Sequence, residues 1–148
     1  MSTADLDRAL ARYAAAMEGL RADTVATLGD VMAPDIRFRD PFNAVTGLDR
    51  VQRIFSALFE DCDAVRFSVG RRFRDGEHAV LAWTMAFRLR RYAKGPDWTI
   101  EGLSEITLDP ASGLVVAHVD HWDAAGQFYE RLPLVGGVLR LLRRRLAH

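Results

Sequence analysis

The stretch Phe38-Arg39-Asp40-Pro41-Phe42 sets one carboxylate among apolar residues at the end of a short strand, and the fold follows from why it is there. Burying a carboxylate without a partner costs on the order of several kcal/mol or more, so such a sequence raises the pKa of the acid, supplies a partner, or leaves the group exposed. Two readings of Asp40 are open. In one it works inside a pocket; in the other it closes a turn before Pro41, since Asp-Pro is a common turn starter.

On the N-terminal side, Ile36 and Phe38 alternate with Arg37 and Arg39, and a period of two aims Asp40 to the same, core-facing side. A short helix is expected from Thr24 to Met32, with Asp23 as its N-cap and Pro34 as its stop. Before it, Leu6, Leu10, Tyr13, Met17 and Leu20 recur at steps of three and four. They mark one face of a helix that starts near Ser2, with Asp5 as capping-box partner and Tyr13 pointing inward.

On the C-terminal side, Thr46 and Asp49 open a third helix whose stripe of Leu48, Val51, Ile54, Phe55, Leu58 and Phe59 ends near Asp61. The period then changes to two. Val65, Phe67, Val69 and Phe73 lead to Asp75-Gly76, a hairpin pair, and Leu81, Trp83, Met85, Phe87 and Leu89 line a second strand that turns at Lys94-Gly95-Pro96. In the next strand Trp98, Ile100, Ile106 and Leu108 share a face that Gly102 and Ser104 interrupt. Missing bulk there predicts a cavity above the sheet, although a glycine also permits a bend in a curved sheet. A last strand from Leu114 to Trp122 places His118, Asp120 and Trp122 on one face. Val115, Ala117 and Val119 take the other, a strip suited to a dimer contact. Helices follow, from Ala124 to about Arg131 and from Leu134 to Leu146.

Three helices, long antiparallel strands and a helical tail predict an α+β fold, with helices packed on a strongly curved sheet around a pocket. At 148 residues and 49% hydrophobic content the chain fits one domain, 1–148. Twenty basic residues balance twenty acidic ones, so no global field recruits nucleic acid or a membrane, and a small apolar partner is expected. The lone Cys62 suits a reducing cytoplasm. Met1-Ser2-Thr3-Ala4-Asp5 lacks the pattern of a signal peptide, and no apolar run is long enough to span a bilayer.

Among chemical candidates, Asp40 and Tyr13 suit a base and an enolate-oxygen donor. A core tyrosine whose hydroxyl meets the backbone or water is the alternative for Tyr13. His118 and Asp120 suit a proton relay or polar anchors. A metal there would need a third ligand that the sequence does not place, so neither metal nor cofactor is expected. Elbow, phosphate-loop, zinc-protease and dinucleotide motifs are missing from the sequence, which leaves side-chain chemistry. Arg140, Arg143, Arg144 and Arg145 share a helix with Leu139, Leu141, Leu142 and Leu146. That segment reads either as a membrane-surface or partner helix or as a solvated basic face whose leucines close the pocket mouth or a dimer seam.

Taken in chain order, these residues resemble the NTF2-like superfamily, in its ketosteroid-isomerase and SnoaL-like branch. Arg12-Tyr13 resembles the Arg-Tyr of the steroid isomerases, whose tyrosine donates to an oxyanion. Arg39-Asp40-Pro41-Phe42 with Gly47 is similar to their stretch carrying the Asp base, Trp122 matches a pocket-lining tryptophan, and His121-Trp122-Asp123 is similar to a run common in SnoaL-like sequences. Ser104 stands where their second oxyanion donor is a neutral carboxylic acid, and a hydroxyl is a weaker donor. The resemblance implies a cone-shaped α+β fold and a cofactor-free isomerase, cyclase or hydrolase acting on a carbonyl compound. Asp40, Tyr13, Ser104, His118 and Asp120 would form its machinery, inside walls made by Phe38, Phe42, Phe55, Trp83, Met85, Phe87, Ile100, Gly102 and Trp122. A non-catalytic carrier of an apolar ligand and a dimeric interaction module stand as alternatives.

Overall fold

Ser2 and Asp5 cap each other: the Ser2 hydroxyl accepts from the Asp5 N–H at 3.2 Å, and the Asp5 carboxylate accepts from the Ser2 N–H at 2.9 Å. In the computed structural model, which describes residues 2–92 and 95–147, this capping box opens α1, Thr3–Glu18. Its inner stripe of Leu6, Leu10, Tyr13 and Met17 is buried.

The second helix differs from expectation. Val25–Asp30 is a 3-10 turn, and its N-cap Thr24 makes no side-chain cap; Asp23 does not occupy the cap. The chain leaves it early because β1 begins at Met32 and runs to Arg39, with Pro34 inside the strand. Pairing with the last strand is irregular between Met32 and Arg37, so a residue without an N–H is tolerated there. Thr46 likewise belongs to a strand, β2 (Ala44–Thr46), which pairs antiparallel with β1. The helix α2, Leu48–Asp61, therefore starts after Gly47, whose φ of 112° lets the chain swing out of the hairpin without a side-chain cap.

Four longer strands follow: β3 (Cys62–Asp75), β4 (His78–Leu89), β5 (Trp98–Leu108) and β6 (Val115–His121). Asp75-Gly76 closes the β3–β4 hairpin, with Gly76 at a φ of 59°. Of the turn expected at Lys94-Gly95-Pro96, Lys94 lies outside the described residues. The strand order is β2-β1-β6-β5-β4-β3, and among the described residues only β1 and β6 run parallel. This curved, mostly antiparallel sheet carries α1 and α2 on one face, as the sequence predicts for an α+β cone.

A register shift between Thr107 and Leu108 puts Val115 at the heart of the core, so it leaves the expected outer strip, where Ala117 and Val119 remain half-buried. The tail is a short helix α3 (Ala124–Gln127), a 3-10 turn at Tyr129–Arg131, and α4 (Val135–Leu146). Buried side chains form two clusters. One joins α1 and α2 to β1, β6 and the near ends of β4 and β5; the other gathers Cys62, Val65, Met85, Phe87, Trp98 and Ile100.

Candidate active site

Between the two clusters lies a cavity of about 350 Å³, within the range of small-molecule sites. Its wall is mostly apolar, with Phe55 from α2 and Phe38, Met85, Phe87 and Ile100 from the sheet. Ile54 and Leu58 stay half-buried because their stripe on α2 faces this space instead of packed side chains. Asp40, Asn43, Asp61, Ser104, His118 and Asp120 are the polar groups in the lining.

Three of these belong to one connected array. The period of two on β6 turns His118 and Asp120 inward together, and β5 presents Ser104 directly opposite Asp120. His118, 3% exposed, has Nδ1 2.6 Å from the Tyr13 hydroxyl and Nε2 2.6 Å from Asp120 Oδ1. The Ser104 hydroxyl donates to the same Oδ1 and accepts from Trp83 Nε1 at 2.8 Å. Burial, helped by the nearby Asp120 charge, holds the Tyr13 phenol well above its ordinary pKa, so it keeps its proton. A neutral His118 with its proton on Nε2 then satisfies every group: the phenol donates to Nδ1, and Nε2–H donates to the carboxylate. Phe38 stacks on the imidazole at 5.0 Å between ring centroids and fixes its plane.

Asp120 is thus a carboxylate with one oxygen held by two donors and the other, Oδ2, without a hydrogen bond among the described residues. Its side chain keeps 18% of its exposure, inside a cavity lined mainly by carbon. Such a group can exchange a proton with a bound molecule while His118 and Ser104 absorb the change in charge.

Asp40 also reaches the cavity, but its hydrogen bonds serve a turn. Oδ1 accepts the backbone N–H groups of Phe42 and Asn43, each at 2.7 Å, and the Asn43 amide contacts both carboxylate oxygens at 3.2 Å. The turn-closing reading describes this geometry. Tyr13 is absent from the lining and directs its hydroxyl to His118, so the structure gives Tyr13 and Asp40 different partners. Gly102 is absent from the lining as well. A Cβ there would sit 2.5 Å from Trp83 Cζ2, so the missing bulk makes room for the Trp83 indole and not for a ligand. Each of the other expected wall residues, Trp83 and Trp122 included, lines the cavity.

Sequence reasoning missed Asn43, Cys62 and Phe128. Asn43 was legible as the fourth residue of an Asp-initiated turn. Phe128, at the end of α3, closes the mouth by packing against Trp98 at 5.3 Å and Phe42 at 6.1 Å. Gln127 straps this segment to β5 through both amide groups of Glu101, at 2.6 and 2.9 Å. The Cys62 thiol is pushed up to about 11, chiefly by burial and then by Asp61 beside it, and stays protonated.

The family model of the SnoaL-like domain matches residues 8–118. Comparison with curated proteins gives no match. Among solved structures, a provisionally assigned SnoaL-like polyketide cyclase from Jannaschia sp. CCS1 superposes with a TM-score of 0.70 at 16% identity, covering 85% of this chain and 92% of that one. An LEH-like epoxide hydrolase of M. tuberculosis gives 0.67 at 14% identity, covering 95% and 94%. A protein with a ketosteroid isomerase-like fold from Catenulispora acidiphila DSM 44928, solved with trimethylamine, gives 0.67 at 13%, covering 80% and 88%. At such identities these likenesses speak for the fold alone, and they agree with the helices-on-curved-sheet architecture described above. With three-quarters of its length matched by the family model, the chain belongs to the SnoaL-like domain family and has its NTF2-like, ketosteroid isomerase-like fold.

Proposed function

We propose that this chain is a cofactor-free enzyme of the isomerase, cyclase or hydrolase kind, acting on a small apolar carbonyl compound, with Asp120 as its proton-transfer group. The observation that carries the reading is the asymmetry of Asp120: Oδ1 is held by His118 and Ser104, while Oδ2 has no partner inside a largely apolar cavity. Oδ2 takes a proton from the carbon next to the carbonyl, and the electron pair moves onto the carbonyl oxygen as an enolate. Returning that proton to another carbon isomerises the substrate; attack of the enolate carbon on a second carbonyl closes a ring. The Asn43 amide, in the same lining, carries two N–H groups and can share one between the Asp40 oxygens while the other donates to the enolate oxygen; Tyr13 and Ser104 have a single proton each, already given to His118 and Asp120. Tyr13 and His118 hold Asp120 from behind, and Asp40 shapes the mouth.

Deuterium exchange tests this. A panel of small cyclic and aromatic ketones in D₂O should lose α-protons to solvent in the presence of the protein, and Asp120→Asn should slow that exchange about a hundredfold or more. Exchange equal in the variant sinks the assignment. The second reading, a carrier for the same class of ligand, rests on the apolar wall and expects ketone binding with no exchange in either protein. The homodimer expected through the outer sheet face belongs to this proposal too. Leu103, 47% exposed, lies on that face with Ala117 and Val119, and a Leu103→Lys variant should fall to half the mass in sedimentation.

A further inference from the structure

We infer that α4 is a membrane-surface helix that docks this chain on an anionic lipid bilayer. The leucines expected to close the pocket mouth do not do so, since Phe128 holds that place and α4 turns its apolar side outward. Leu134, Val135, Val138, Leu141, Leu142 and Leu146 are exposed, between 49% and 90%. At 100° per residue the five of them within α4 cover an arc of roughly 140° along one side of the helix.

The opposite side is what holds α4 to the body. Gly136 is buried against the Glu130 carbonyl so closely that a Cβ would overlap it, Arg140 donates to that carbonyl, and Arg143 pairs with the Glu130 carboxylate at 2.9 Å. Leu134, at a φ of 66°, makes the bend that sets this direction. The apolar arc is therefore displayed by a fixed attachment.

Charge selects the occupant. Residues 131–147 carry five arginines and no acidic residue in a chain whose net charge is zero, so basic charge is concentrated at this end. Arg144 and Arg145 are exposed, and Arg145 falls inside the apolar arc. Two copies of the chain packed through this face would press like charges together in an apolar seam. A bilayer accommodates the same pattern: leucines enter the acyl boundary while arginines reach back to phosphate. Twelve residues are too few to cross, and among the described residues no helix is long and apolar enough to do so. The helix lies in the interface plane.

Flotation of the full chain with vesicles tests this, using phosphatidylcholine alone and phosphatidylcholine with about one-third phosphatidylglycerol. We expect binding to the anionic vesicles that weakens about tenfold or more on neutral ones, in high salt, and in Arg144→Glu/Arg145→Glu. Leu141→Glu/Leu142→Glu should abolish it. All four positions are exposed, and an unchanged circular dichroism spectrum and melting temperature verify that each variant is folded. No flotation with anionic vesicles overturns the inference, as does equal binding to neutral ones. A solution mass that drops in Leu141→Glu/Leu142→Glu also overturns it, by showing that a second copy covers the face.

Discussion

The Tyr13 hydroxyl and His118 Nδ1 lie 2.6 Å apart although 105 residues separate them in the chain. Neither group reaches water, so each depends on the other for its hydrogen bond. Tyr13→Phe keeps the ring in place and orphans Nδ1, which should lower stability by about 1–3 kcal/mol. His118→Ala also removes the stack on Phe38 and a donor to Asp120, and should cost about 2–5 kcal/mol. Urea denaturation followed by tryptophan fluorescence measures both, and unchanged midpoints would show that the pair does not matter to the fold.

Asp40 and Asp120 differ in what holds them: turn N–H groups for the first, His118 and Ser104 for the second. Asp40→Ala leaves the Phe42 and Asn43 N–H groups without their acceptor and should cost about 1–2 kcal/mol, whereas Asp40→Asn preserves an oxygen at that place and should cost less than about half of that. In the ketone-exchange assay Asp40→Asn should stay within about fivefold of the parent, against the hundredfold loss for Asp120→Asn. The reverse order would return the base to Asp40.

Gly102→Ala places a methyl 2.5 Å from Trp83 Cζ2 and 2.8 Å from the His121 carbonyl oxygen. The indole can retreat only by leaving Ser104, so destabilisation of about 1–3 kcal/mol is expected with a shift in tryptophan emission. A melting curve and emission spectrum matching the parent would mean that the strand yields instead.

Alkaline pH should weaken the fold in a defined window. The Cys62 thiol rises from an ordinary value of 9.0 to about 11, and the Tyr13 phenol rises from 10.0, both chiefly through burial. The unfolded chain therefore loses these protons first, and stability, complete below about pH 9, falls as pH climbs towards and past 11. Urea midpoints at pH 8, 9, 10 and 11 measure the fall, and Cys62→Ala should lessen it. A midpoint flat across the series would show that the two groups titrate alike in the folded and unfolded chain, and would remove the shift that burial is said to cause.

Periodicity made most of the architecture readable. The stripe on α1, the alternation in β3 to β6 and the Asp75-Gly76 turn each depend on local sequence, and local sequence decides them. Where tertiary pairing intervenes, the reading slipped. Thr46 has the chemistry of a helix cap, yet hydrogen bonding to β1 drew it into β2, and Pro34 entered a strand because the ladder around it is irregular. The site shows the same division. His118, Asp120 and Ser104 were readable as inward-facing on their strands, but their connection to Tyr13 and Trp83 depends on register between distant elements. Gly102 misled for a related reason: absent bulk in one strand is filled from its neighbour, and only the pairing of Trp83 with Gly102 reveals it.

The parallel seam between β1 and β6 sets Phe38 beside His118, near opposite ends of the translation order. On the ribosome, strands β3 to β5 can zip as successive hairpins while β1 waits with an open edge for a partner not yet synthesised. Closing that seam is the step of greatest loop entropy, so a nascent chain stalled before β6 should expose a sticky strand and call on chaperones.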